Sequence, residues 1–124
     1  MPTPPLVRIL LVEDEPLIRL DARAMLETAG YEVVEAASAD EALRLLAAPA
    51  KFEAIVTDID MPGSIDGLEL ARTIDGHRPE IAIVIMSGKW LPRREELPLK
   101  AAFVTKPFSQ SVLLQRVAQA LVEV

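Results

Sequence analysis

Five short apolar runs recur along the chain, at 7–12, 31–36, 54–57, 81–86 and 102–105, with stretches of helical periodicity between them. That alternation is the strongest constraint the sequence carries. Strands joined through helix-length crossovers pair in parallel, and a parallel sheet needs helices on both faces. Ile18, Ala22, Met25, Leu26 and Ala29 share one helix face, and Gly30 follows as a stop. Ala39, Ala42, Leu43, Leu46 and Ala47 make a second face, opened by a Ser38/Glu41 capping box and closed by Pro49. Leu68, Ala71 and Ile74 predict a shorter third helix that stops at Gly76. Leu113, Leu114, Val117, Ala118 and Leu121 predict a last one capped by Ser109. The segment 88–101 breaks the pattern. Pro92 and Pro98 remove helical hydrogen bonds, so the fourth helix is expected to be irregular or no more than a turn or two over 93–97.

Strand composition orders the sheet. The runs 7–12, 54–57 and 81–86 are almost wholly apolar, as strands buried on both faces must be. The run 31–36 carries Glu32 and Glu35, which suits an edge, and the short run 102–105 suits the other edge. The expected fold is α/β, a flavodoxin-like (βα)5 domain with a five-stranded parallel sheet in the order 2-1-3-4-5. Sheets of this kind bind ligands outside the carboxyl ends of the strands, near the switch point between the first and third.

The chain has 124 residues, enough for one self-sufficient core, with 1–6 expected as a disordered lead-in and 7–124 as the domain. Cysteine is absent, which excludes disulfides, thiolate metal sites and thiol nucleophiles and fits a reducing, cytoplasmic setting. The single histidine, His77, reads as a loop residue beside Gly76 and Pro79 and cannot build a His-rich metal site. A net charge of −6 disfavours nucleic acid as a partner. No apolar run approaches the ~20 residues that span a bilayer, so no membrane role is expected. The N-terminus does not read as a secretory signal.

The chemistry lies just past the strands. Glu13-Asp14 follows the first, Asp58-Ile59-Asp60 ends the third, Ser87-Gly88 ends the fourth, and Lys106-Pro107 follows the fifth. In a parallel sheet all these ends share one edge. Two like charges ~4 Å apart repel by about 4 kcal/mol at an effective dielectric near 20, so such a cluster calls for a counter-ion. Oxygen donors without nearby histidine or cysteine favour Mg2+. An ionised aspartate, Mg2+, a lysine and a small hydroxyl suit phosphoryl transfer, with Asp58 as nucleophile and Lys106 and Ser87 facing the oxygens of the transferred group.

Glu13-Asp14, Asp58-Ile59-Asp60-Met61-Pro62, Asp66-Gly67, Ser87-Gly88 and Lys106-Pro107-Phe108 together resemble the receiver domains of two-component response regulators. The resemblance runs from about Val7 to Leu121 and rests on all these short motifs occurring in order. It implies Asp58 as phospho-acceptor for a sensor histidine kinase or a histidine phosphotransfer protein. It also implies Mg2+ held by Asp14, Asp58 and the backbone carbonyl of Asp60, with Glu13 acting through a metal-bound water. Ser87 and Phe103 take the places of the family's switch residues, Lys106 pairs with Asp58 or the phosphate, and the Lys106–Pro107 bond is implied to be cis. The loop Gly63-Ser64-Ile65 is one residue longer than the family's usual pattern, and the stretch from Ser87 to Lys106 is a few residues shorter. Trp90, in that stretch, reads either as packing on the sheet edge or as a partner contact beside the site.

The favoured reading is a stand-alone receiver with output through an unidentified downstream protein, by contact or onward phosphotransfer, rather than an enzyme acting on a small substrate. One alternative is a haloacid-dehalogenase-like phosphohydrolase, with Asp58 and Asp60 as its D-x-D pair. Position argues against it, because that motif usually follows the first strand. The other is a pseudo-receiver that only binds partners, against which the intact set Asp14, Asp58, Ser87 and Lys106 argues.

Overall fold

The structure, a computed structural model, describes residues 6–49, 51–59, 66–88 and 97–122. Along them run β1 (Arg8–Val12), α1 (Pro16–Thr28), β2 (Glu32–Ala36), α2 (Ala39–Ala47), β3 (Ala54–Asp58), α3 (Gly67–His77), β4 (Ala82–Ser87), β5 (Ala102–Thr105) and α4 (Gln110–Val122). The strands form one parallel sheet in the order β2-β1-β3-β4-β5, as expected from their composition.

Alternation along the strands divides the core into two layers. Leu10, Val12, Ile55, Ile83 and Ile85 point to one face and pack with Ala39, Ala42 and Leu46 of α2 and Leu68, Ala71 and Ile74 of α3. Ile9, Leu11, Val56, Val84 and Met86 point to the other and meet Ala22 and Leu26 of α1 and Leu113, Val117 and Ala120 of α4. The three central strands are buried along nearly their whole length. On edge strand β2 the two acids stay at the surface and pair with arginines, Glu32 with Arg8 at 3.1 Å and Glu35 with Arg23 at 2.7 Å.

Helix ends follow local chemistry. The Ser38 hydroxyl accepts from Glu41 N at 3.1 Å, and the Ser109 hydroxyl accepts from Val112 N at 3.3 Å. Gly30 terminates α1 with φ +91°, a conformation other residues avoid. Three expectations need correction. Helix α3 passes through Gly76 and ends at His77, so His77 is an exposed last-turn residue rather than a loop one. The true stop is Pro79, which bars Arg78 from helical backbone; Arg78 adopts φ −134°, ψ 68°. Ala29, Ala47 and Ala118 lie at the rims of their apolar faces and are exposed, while Ala120 is buried. Most of the expected irregular fourth helix lies outside the described residues; its last part is a turn in which Ala101 N donates to Pro98 O at 3.0 Å. Trp90, Asp60 and the loop at 63–65 also lie outside them.

Candidate functional site

Parallel register brings the strand ends together. Asp58 at the end of β3 stands beside Met86 of β4, one residue before Ser87, and Ser87 pairs with Thr105, one residue before Lys106. Two backbone bonds tighten this edge: Ile59 N donates to Met86 O at 3.1 Å, and Lys106 N to Ser87 O at 2.8 Å. Glu13 continues β1, with its N–H donating to Ala36 O at 3.0 Å. Glu13, Ser87 and Asp58 are buried, whereas Asp14 is exposed.

The Lys106 ammonium is the hub. Its Nζ lies 2.6 Å from Glu13 Oε1 and 3.0 Å from Asp58 Oδ2. Glu13 Oε2 accepts from Glu15 N at 3.1 Å. Burial pushes the Glu13 carboxyl up to about 6, against the pull of Lys106 and the Glu15 N–H and with the help of the nearby Asp58 charge. Burial also works against the Lys106 ammonium, but its bonds to Glu13 and Asp58 prevail and its pKa is raised. The two shifts have opposite dependence on burial, which raises Glu13 and opposes the rise of Lys106.

One oxygen from each of Glu13, Asp14 and Asp58 lies within 4.8 Å of the others. This all-oxygen set suits a hard divalent cation, which would neutralise the charge that Lys106 leaves over. A cleft of about 370 Å3, lined by Glu13, Asp14, Glu15, Ile18, Asp58, Gly88 and Lys106, opens over the carboxylates.

Helix α3 seats against the same place. Asp66 caps it by accepting from Glu69 N at 2.9 Å. Gly67 comes so close to β3 that a Cβ there would lie 1.7 Å from the Asp58 carbonyl oxygen. Only glycine allows this approach, a role invisible in the Asp66-Gly67 motif itself. The Lys106–Pro107 peptide is cis. Phe103 is half-buried on β5 and, like Leu97 and Ala101, packs against the core layer under α2 and α3. Sequence reasoning missed Arg19, whose Nη1 donates to the Glu13 carbonyl at 2.8 Å. An arginine six residues after an acid has no local signature; the angle of α1 on the sheet brings them together.

Comparison with known proteins agrees with this geometry. The signature of the response regulator receiver domain matches residues 9–118. The transcriptional regulatory protein PdtaR of Mycobacterium tuberculosis is 36% identical over 92% of this chain, and the sensor protein TorS of Escherichia coli is 32% identical over 93%. The chain spans 56% and 13% of the lengths of these two relatives. A response regulator receiver protein from Sinorhizobium medicae has a crystal structure that superposes with a TM-score of 0.88 at 30% identity, covering 94% of this chain and 95% of that one. The phosphohydrolase alternative gains no support from these matches. Among the described residues, no helix is long and apolar enough to cross a membrane.

Proposed function

The chain belongs to the response regulator receiver family, and on that premise we propose that it is a Mg2+-dependent phospho-acceptor whose acceptor atom is a carboxylate oxygen of Asp58. The observation that carries the reading is the buried Asp58 carboxylate, 3.0 Å from Lys106 and clustered with the oxygens of Glu13 and Asp14. Lys106 holds the carboxylate through Oδ2 and keeps it ionised, as a nucleophile must be. A carboxylate oxygen of Asp58 attacks phosphorus, the bond from phosphorus to the donor breaks, and its electron pair leaves with the donor. An acyl phosphate forms without a proton moving to or from Asp58. The Lys106 ammonium and the Ser87 hydroxyl then face oxygens of the transferred group.

Glu13, Asp14 and Asp58, with the backbone carbonyl of Asp60, are the proposed cation ligands. When bound, Mg2+ would neutralise the carboxylates and the charge of the incoming group. Both Glu13 oxygens already have partners, Oε1 in Lys106 and Oε2 in Glu15 N, which favours its acting through a water of the ion, with Asp14 and Asp58 as the direct ligands. Ser87 and Phe103 are the proposed switch pair, and 7–124 the domain. The donor is a phosphohistidine of a sensor kinase or phosphotransfer protein, the output is contact with or transfer to another protein, and the compartment is the cytoplasm. The protein is a signalling module rather than an enzyme that turns over a separate substrate.

The test is labelling from radioactive acetyl phosphate with Mg2+. Wild-type protein should take up acid-stable, base-labile label, and Asp58→Asn should take up none. Label surviving that substitution would refute the assignment.

A further inference from the structure

Arg19 reaches the acid cluster from behind. It lies in the first turns of α1, with Nη1 2.8 Å from the Glu13 carbonyl oxygen and Nε 3.3 Å from Glu35 Oε1 on β2. The other Glu35 oxygen accepts from Arg23 Nη1 at 2.7 Å. A guanidinium is a rigid planar fork, so two partners in different directions fix its orientation. The carbonyl it holds belongs to the peptide joining Glu13 to Asp14, and a peptide unit turns as one plane. The Glu13 carboxylate has tethers of its own in Lys106 and Glu15 N. Asp14 differs: it is exposed, and its carboxylate makes no hydrogen bond or ion pair with a described residue. The backbone that carries it therefore limits where its rotamers can reach.

We propose that Arg19, oriented by Glu35, is a positioning residue for cation binding, holding the Glu13–Asp14 peptide so that the Asp14 carboxylate faces Asp58 across the cleft. The inference rests on the Mg2+ reading above. It makes Arg19 a determinant of metal affinity although it touches neither the cation nor the transferred group. Partners behind a ligand commonly change affinity by about 10- to 100-fold.

The experiment is calorimetric titration of unphosphorylated protein with Mg2+, for wild type, R19M, E35Q and the double variant. The metal-free stability of each is measured in urea alongside. R19M should bind Mg2+ about tenfold more weakly. E35Q should weaken binding less, and the double variant should be no weaker than R19M, because Glu35 acts through Arg19. A purely structural Arg19 would lower the urea midpoint and leave the affinity of the folded protein unchanged, and that result overturns the inference. Losses that add in the double variant overturn it as well. If R19M does not fold, E35Q decides: weaker binding supports the inference and unchanged binding overturns it. Wild-type protein that binds no Mg2+ overturns the metal reading and this inference with it, an outcome distinct from a variant that binds as tightly as wild type.

Discussion

At the amino-terminal edge of the sheet, Arg8 faces Glu32 at 3.1 Å and gives its backbone N–H to Glu53 at 2.6 Å, while Arg78 faces Glu80 at 2.7 Å. At the carboxyl edge, Lys106 faces both Glu13 and Asp58, with Asp14 beside them. At the first edge two of the three glutamates face an arginine each, the third accepts a backbone N–H, and the pairs are open to solvent, where ion pairs contribute little. The second is short of positive charge, and two of its carboxylates are buried. Matched, solvated pairs are what folding alone tolerates. A buried surplus of one sign is disfavoured by desolvation and repulsion, and it marks a functional-site candidate.

The largest contrast should appear in chemistry. Removing the ammonium with Lys106→Met should slow labelling by acetyl phosphate by about 10²- to 10³-fold, the usual effect of losing one group that stabilises developing charge. At the opposite edge, Glu53→Gln should leave the labelling rate unchanged and cost about 1 kcal/mol of stability for its weakened hydrogen bond. Equal rates for wild type and Lys106→Met would erase the distinction between the edges.

Next comes a contrast within α3, measured by urea unfolding. Gly67→Ala drives a methyl into the Asp58 carbonyl and should destabilise by about 3 kcal/mol. At Gly76 an added Cβ meets nothing within 4 Å, and Gly76→Ala should stabilise by about 0.5 kcal/mol. Similar responses at the two positions would show that α3 does not press on the site.

The smallest effect is pH-dependent. Burial raises folded Glu13 to about 6 from the ordinary 4.5, so the native state holds this proton more tightly than the unfolded chain does. The contribution is complete below about 4.5 and is lost as pH rises to about 6, so in a chelator Glu13 makes stability fall across that window. The slope should vanish in Glu13→Gln, and in wild type it should weaken or reverse with Mg2+, which favours the carboxylate. Urea midpoints at pH 4.5 and 7 measure it, and a wild-type slope no different from that of Glu13→Gln would remove the claim of a charge deficit.

Much of the fold was legible because its signals are local. Short β-branched runs such as Ile81-Ala82-Ile83-Val84-Ile85-Met86 read as central parallel strands, and Glu32 and Glu35 mark an edge. The meeting of Asp58 with Lys106 followed from topology, since parallel strands present their carboxyl ends together. Other features were not legible. Nothing local says that Glu13 would be buried against Lys106, that Gly67 would touch the Asp58 carbonyl, or that Arg19 would grip the peptide before Asp14. Gly76 was a misleading stop because a helix's last turn accommodates glycine, whereas Pro79 changes the backbone allowed to its neighbour.

By itself, then, the amino-acid order determined which segments are strands and helices, how the strands are arranged, and which reactive groups gather at the sheet's carboxyl edge. Those outcomes depend on periodicity and burial, which neighbouring residues already express. Tertiary structure decided how those groups divide the available charge: which carboxylate takes the ammonium, which is left facing the cleft, and which backbone is held still. These depend on angles and distances of a few tenths of an ångström between elements far apart in the chain, and packing alone sets them.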